Sequence, residues 1–405
     1  MSRSLPLESV TVIDLGQIYN GSYATFLMAM AGARVIKIEP PGGEHLRRRA
    51  ETGGAALPFA MLNSNKLSAT LNLKTARGRD LLLQMLERAD VLVENFAPGT
   101  MDRLGLGWER LRLANPRLIC ASGSGYGLTG PYRDYPAMDL TVQAMAGVMS
   151  VTGFPDRPPV KAGPALCDFF GGVHLYGGIA TALYEREKTG IGRHVEVSML
   201  EAVYPSLSSN LGLMFGSGHT APVAPRTGNR HGGLAEAPYN VYPTQDGHIA
   251  IICVGETHWQ SLLQAMARSD LAADPRFATL RSRVAHIDAV DDIVGAYTRQ
   301  FDKQPLFERL MRYRVPCAPV RERGCERRAP AGPTRHRVGR TSGPGPHSTA
   351  QLPHALRSQR ADRHRAQPAP GAGQRRGVCR LARAVGRRVR VLPTRRCHLN
   401  RQALS

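Results

Sequence analysis

No stretch of the roughly 18 apolar residues that a membrane-spanning helix needs occurs in this chain of 405 residues. Its first ten residues, MSRSLPLESV, lack the apolar core of a secretory leader. Seven cysteines, an odd number, occur without one CxxC spacing. That pattern argues against a disulfide framework or a zinc site, and the expectation is a reducing cytoplasmic location with no membrane contact and no metal. Missing too is the GxGxxG fingerprint of dinucleotide binding. Gly16 and Gly21 are separated by Gln17, Ile18, Tyr19 and Asn20. Such a bulky turn leaves little room for a pyrophosphate against the backbone, so no NAD is expected, although Glu39 ends the second strand pattern where a ribose-binding acid would stand.

A further absence is regional. From Arg321 onward there is no Lys, Ile, Met, Phe, Tyr or Trp, while 21 Arg face only Glu322, Glu326 and Asp362. The formal charge of +21 therefore sits mostly in that tail, since the first 320 residues hold 32 bases and 29 acids. Without large apolar side chains a segment cannot offset its ordering entropy, so residues 321–405 are expected to be a disordered tail. A nucleic-acid-binding tail would need only clustered charge, and an ordinary disordered tail is a second origin. Evolved basic tails mix Lys with Arg, however, and Arg, Pro, Ala and Gly richness without Lys is what GC-rich DNA encodes out of frame. The composition favours a frameshifted C-terminus, with nucleic acid as an unlikely partner.

What is present ahead of that tail alternates strand and helix patterns. VTVIDL (10–15), RVIKIE (34–39), SATLNL (68–73), VLVENF (91–96) and LICASGSGYG read as strands. GSYATFLMAMAGA, TARGRDLLLQMLERAD and GTMDRLGLGWERLRLANP read as the helices between them. Such repetition implies an α/β fold, with a Rossmann-like parallel sheet and ligands at the carboxyl ends of its strands. We place this large domain at residues 1–200. A Gly/Pro-rich linker follows, then a hairpin (YNVYPTQDGHIAIICVG) and a helix (ETHWQSLLQAMARSD), giving a smaller α+β domain over 201–320.

In PALCDFFGG, Asp168 stands at the start of a helical pattern. An Asp there is most simply a cap that accepts backbone N–H bonds and gains from the helix dipole. It is also a carboxylate with an ordinary pKa of about 4, ionised at neutral pH and able to attack a thioester without a general base. The residues alone leave both roles open.

Taken in order, VTVIDLGQ, GARVIKIEPPGGE, NKLSATLNLKTARGRDLL, LVENFAPGTMDRLGLGW, NPRLICASGSGYG, MDLTVQAMAGVMSVTG, ALCDFFGGVHLYGGIATALYEREKTGIGRHVEVSMLEA and PYNVYPTQDGHIAI resemble the family III CoA-transferases, the CaiB/BaiF family. The resemblance covers about residues 5–320. It implies an acyl-CoA:carboxylate CoA-transferase working through an aspartyl-CoA thioester, with Asp168 as nucleophile and Gln17 and Asp139 beside the reacting centre. Coenzyme A, carried as acyl-CoA, would be held by Leu71, Asn72, Leu73, Lys74, Asn95, Phe96, Ala97 and Arg103. Arg is suited to bidentate phosphate contact and Lys acts as a point charge.

Three departures qualify the likeness. Gln17 and Tyr19 stand where the formyl-CoA branch has His and Gln, which argues against formate or oxalate as substrate. Pro136 and Met138 replace a Lys and a Tyr that touch the cofactor, and Asp139 replaces a Glu. Met138 also stands where the racemase branch has its proton-transferring histidine. A thioether takes no proton, so an α-methylacyl-CoA racemase is the weaker alternative. Family members form homodimers in which C-terminal segments return to the large domain. The compositional break near residue 320 sets that dimer in question here and leaves an inactive product of a frameshifted gene as a further reading.

Overall fold

β-Branched and apolar runs too short for helices become the strands of the main sheet: β1 (Thr11–Asp14), β2 (Arg34–Glu39), β3 (Leu67–Thr70), β4 (Val91–Glu94) and β5 (Ile119–Ser124). Every residue of β4 and β5 is buried, as expected for strands covered on both faces. With β6 (His194–Ser198) they form a six-stranded sheet in the order β3-β2-β1-β4-β5-β6. The pairs β1–β2, β2–β3, β1–β4 and β4–β5 are parallel, with Val12 level with Val35 on one side and Val91 on the other. The order reverses between β1 and β4. In a doubly wound sheet that reversal opens a crevice at the carboxyl ends of the two strands.

The computed structural model describes residues 5–48, 57–216, 226–321, 338–340 and 346–348. By internal contacts the chain divides into two units: Met1–Ser122 with Leu175–Val195 and Arg337–Ser405, and Gly123–His174 with Glu196–His336. The expectations about residues 321–405 fall outside the described residues, apart from Arg321 and a short antiparallel pair, Val338–Arg340 with Pro346–Ser348. Among the described residues no helix is long and apolar enough to cross a membrane.

In the first unit α1 (Asn20–Met30) is buried along most of its length. Helix α2 (Ala76–Leu86) begins where Thr75 Oγ1 accepts the Gly78 N–H at 3.1 Å, and it sets Leu82 and Leu86 into a core with Ile13, Ile36 and Leu92. The single helix expected after β4 is two, α3 (Thr100–Arg103) and α4 (Trp108–Ala114). Gly105 breaks it, with φ at +67°, a left-handed conformation that costs glycine little.

In the second unit, three helices and the first turns of a fourth concern the site or its support. Helix α5 (Asp139–Met145) and the start of α6 (Leu166–Thr189) share a core of Val142, Ala146, Cys167, Met199, Val203 and Leu207, against which Leu211 of α7 (Ser208–Gly216) packs. The anticipated hairpin is present as β7 (Tyr239–Thr244) and β8 (Gly247–Ile252), joined through Gln245 and Asp246, with β9 (Cys317–Pro319) on the other side of β8. Helix α8 (Glu256–Met266) and its neighbours cover that sheet around the buried Trp259, Phe277 and Leu306.

Candidate functional site

Most of the candidate CoA contacts lie in the first unit, just past the carboxyl ends of its strands. Gln17 follows β1, Leu71–Lys74 follow β3, and Asn95–Ala97 follow β4. Lys74 and Arg103 are exposed, and Arg103 Nη2 donates to Thr100 Oγ1 at 2.8 Å. Leu71 is buried and donates its N–H to the Glu39 carbonyl, while Asn72 Oδ1 accepts the Lys74 N–H at 3.1 Å. Leu73 and Phe96 are half-buried against the sheet's core, and Phe96 N–H reaches Glu94 Oε2 at 2.8 Å. Burial raises the Glu94 carboxyl above its ordinary range, despite hydrogen bonds from Ser122 and Phe96 that favour its charge.

The turn that carries Gln17 is held atom by atom. Asp14 Oδ1 accepts the Gly16 N–H at 2.7 Å, and Lys37 Nζ donates to the Gly16 carbonyl at 2.6 Å. Asn95 Oδ1 accepts the Gln17 N–H at 2.7 Å, and Asn95 Nδ2 donates to the Gln17 carbonyl at 3.0 Å. Ile18, at φ +56°, donates its N–H to Glu44 Oε1 at 2.8 Å. Gly16 has no room for a side chain, since a Cβ would come within 2.7 Å of Asp14 Oδ1.

Beneath the turn lies a buried charge cluster. Lys66 Nζ donates to Asp14 Oδ2 at 3.0 Å, Thr25 Oγ1 at 2.8 Å, and both the Ser22 carbonyl and Asn63 Oδ1 at 3.0 Å. Burial lowers Lys66 to about 8, with the Asp14 charge opposing that fall. For Asp14 burial acts upward, but the charges of Lys66 and Lys37 and the hydrogen bonds from Lys66 and Thr25 outweigh it and hold the carboxyl below its usual value.

In the second unit, Asp168 is the third residue of α6, half-buried and inside the first helical turn. Asp139 provides a carboxylate that serves the start of this helix. Its Oδ1 accepts the backbone N–H groups of Cys167 at 2.8 Å and Asp168 at 3.3 Å. These are two of the donors a helix leaves without intrahelical partners. Asp139 Oδ2 accepts from Gln143 Nε2 at 2.7 Å, and Gln143 Oε1 in turn accepts the Ala162 N–H at 2.9 Å. Burial, then the charges of Asp139 and Asp168, push the Cys167 thiol up to about 12, so it is no thiolate at neutral pH. Met138 and Pro136, at the places of expected cofactor contacts, are both exposed.

The structure thus brings Gln17 together with Asn95, and Asp139 together with Asp168. Lys37, Glu44, Lys66 and Gln143 escaped the sequence reading. Lys37, Glu44 and Lys66 act on residues far along the chain, which no local pattern marks, and Gln143 joins Asp139 one helical turn away to the distant Ala162.

The doubly wound parallel sheet, with a smaller antiparallel sheet beside it in the chain, defines an α/β protein. Known proteins agree. The CoA-transferase family III model matches residues 7–376, past the point near 320 where the motif run ends. Acetyl-CoA:oxalate CoA-transferase of Acetobacter aceti is 44% identical over 303 residues, covering 74% of this chain and 76% of that protein. Succinyl-CoA–D-citramalate CoA-transferase of Chloroflexus aurantiacus is 37% identical over 319 residues, covering 78% of each. Among solved structures, a CaiB/BaiF family protein from Brucella suis superposes with TM-score 0.69 at 33% identity, over 79% of this chain and 85% of that one. Rv3272 of Mycobacterium tuberculosis gives 0.70 at 29%, over 81% and 87%. The chain belongs to CoA-transferase family III and is a CoA-transferase.

Proposed function

We propose that the enzyme moves CoA from a short acyl-CoA to a small dicarboxylate, with Asp168 as the covalent carrier. The substrate class rests on relatives named for oxalate, D-citramalate and mesaconate. In the first step the Asp168 carboxylate attacks the thioester carbonyl, giving a mixed anhydride and CoA thiolate. The thiolate then attacks the aspartyl carbonyl, releasing the donor's carboxylate and leaving an aspartyl-CoA thioester. An acceptor carboxylate attacks that thioester and the sequence runs in reverse, restoring Asp168 and forming the new acyl-CoA. No water enters the balance.

One observation supports the reading: Asp139 accepts two of the first N–H groups of α6, so the start of that helix does not rest on Asp168 alone. The first-turn dipole favours the ionised carboxylate of Asp168. Asp139 acts by orienting that turn. Gln17 carries an amide that can donate to a carbonyl or carboxylate oxygen. Lys74 and Arg103 meet CoA phosphates, and residues 71–73, the Asn95 backbone, Phe96 and Ala97 line the remainder of its path.

Trapping tests this. Enzyme incubated with acetyl-CoA, then treated with hydroxylamine, should carry a hydroxamate at Asp168, found by peptide mass spectrometry. Asp168→Asn should carry none and lose turnover by orders of magnitude, since an amide is a poor nucleophile. Turnover that survives in Asp168→Asn, or a label on another residue, would remove Asp168 from the mechanism.

A further inference from the structure

Main-chain atoms of three consecutive residues at the sheet's switch point are each gripped by a side chain from elsewhere. Lys37 of β2 holds the Gly16 carbonyl, Asn95 after β4 holds both polar atoms of Gln17's backbone, and Glu44 holds the Ile18 N–H. Lys37 and Glu44 are 2% and 3% exposed, so these grips are shielded from water. Ile18 lies in the left-handed region, which a β-branched residue keeps only when its surroundings over-determine it. The Asn95 amide cannot be reversed, because its oxygen must face an N–H and its nitrogen a carbonyl. It is also seated closely: a Cβ on Gly21 would come within 3.2 Å of its Oδ1.

An amide engaged at both ends on one residue's backbone has little left with which to recognise a ligand. What it does is fix the Cα–Cβ direction of Gln17. We propose that Asn95 works in the reaction as a positioning residue acting through Gln17, rather than through a side-chain contact to CoA. This rests on the reading above, in which the Gln17 amide serves the reacting carbonyl or carboxylate.

The experiment is a double-mutant cycle in the full chain, with Gln17→Ala, Asn95→Ala and the pair. It measures kcat, KM for the acceptor and the equilibrium Kd for acetyl-CoA. A displacement of about 1 Å at a reacting group costs on the order of 100-fold, so Asn95→Ala should lower kcat by about 10- to 100-fold with acetyl-CoA Kd unchanged within about twofold. The double variant should be no slower than the slower single one, the signature of two residues acting as a unit. Asn95→Asp keeps the oxygen that accepts the Gln17 N–H but turns a second acceptor on the Gln17 carbonyl, so it should lower kcat at least as far as Asn95→Ala. In Asn95→Ala, hydrogen exchange at residues 16–18 should quicken, a readout that needs no turnover.

A weakened acetyl-CoA Kd with kcat at saturation intact, additive with Gln17→Ala, would overturn the proposal and make Asn95 a CoA ligand. An unchanged kcat in Gln17→Ala would instead overturn the reading of Gln17 itself, and the proposal with it, through a different variant and a different parameter.

Discussion

Moving one negative charge four residues along α5 tests whether Asp139 holds the start of the Asp168 helix. Donors and acceptors in that network run in one direction only. Asp139 Oδ1 takes two helix N–H groups, Oδ2 takes Gln143 Nε2, and Gln143 Oε1 takes the Ala162 N–H. In Asp139→Asn the new NH₂ must face either the helix N–H groups or the Gln143 NH₂, donor against donor. Turning the Gln143 amide over only moves the conflict to Ala162. One charge-assisted bond is lost, worth about 1.5–3 kcal/mol, and a buried donor is left unpartnered at about 1–3 kcal/mol. The two losses overlap, so the expected destabilisation is about 2–4 kcal/mol. Gln143→Glu alone sets two carboxylates face to face at a position with no exposed surface and should cost at least as much. Combining the two substitutions restores complementarity, because the new glutamate accepts from both the new asparagine and the Ala162 N–H. The double variant should recover about half or more of the single Asp139→Asn loss. Urea unfolding reads this most directly in a Trp108→Phe background, where the fully buried Trp259 of the second unit is the sole remaining tryptophan. If Asp139→Asn unfolds with the wild type, or the double variant shows the plain sum of the single losses, Asp139 is not the acceptor for α6.

Other outcomes follow from the same geometry. Arg103→Ala should weaken acyl-CoA binding by about 1–3 kcal/mol, read by calorimetry; an unchanged affinity would put this exposed cation outside the phosphate path. Lys66→Met leaves the Asp14 charge buried without its main partner and should cost about 3–5 kcal/mol near neutral pH. Asp14 has a lowered folded pKa, so its stabilising contribution is complete above about pH 4 and lost as pH falls through the folded value. The gap between Lys66→Met and wild type should therefore close on acidification, and a constant gap down to pH 2 would refute the pairing. Cys167, with its thiol at about 12, should react with iodoacetamide at pH 8 roughly 1,000-fold more slowly than in urea, and comparable rates would contradict its surroundings.

The strands were readable because parallel-sheet burial on both faces writes itself as unbroken runs such as VTVIDL and VLVENF. The β7–β8 hairpin was readable from Asp246-Gly247 between two apolar runs. The break at Gly105 was not, since apolar spacing continues across it and only the backbone angle reveals the turn. In the site, the family resemblance pointed to Asp168, whose residue type alone fitted a cap as well, and its support could not be read. Asp139 lies 29 positions from Asp168, Lys66 lies 52 from Asp14, and Asn95 lies 78 from Gln17. Each pair is made by the path of the chain through the sheet or between helices, and no local pattern encodes it.

The grips on residues 16–18 seize main-chain atoms, and this makes the turn indifferent to the side chain it displays at position 17. If Gln17 serves the reacting group as proposed, a different amino acid there would meet a different substrate on an unchanged frame, provided Gly16 and Gly21 keep their lack of a Cβ. Enzymes named for oxalate, D-citramalate and mesaconate are 37% to 44% identical to this chain. A library aimed at new acceptors should therefore randomise residue 17 and leave Lys37, Glu44 and Asn95 alone. The scaffold behaves as a fixed socket with an interchangeable fitting.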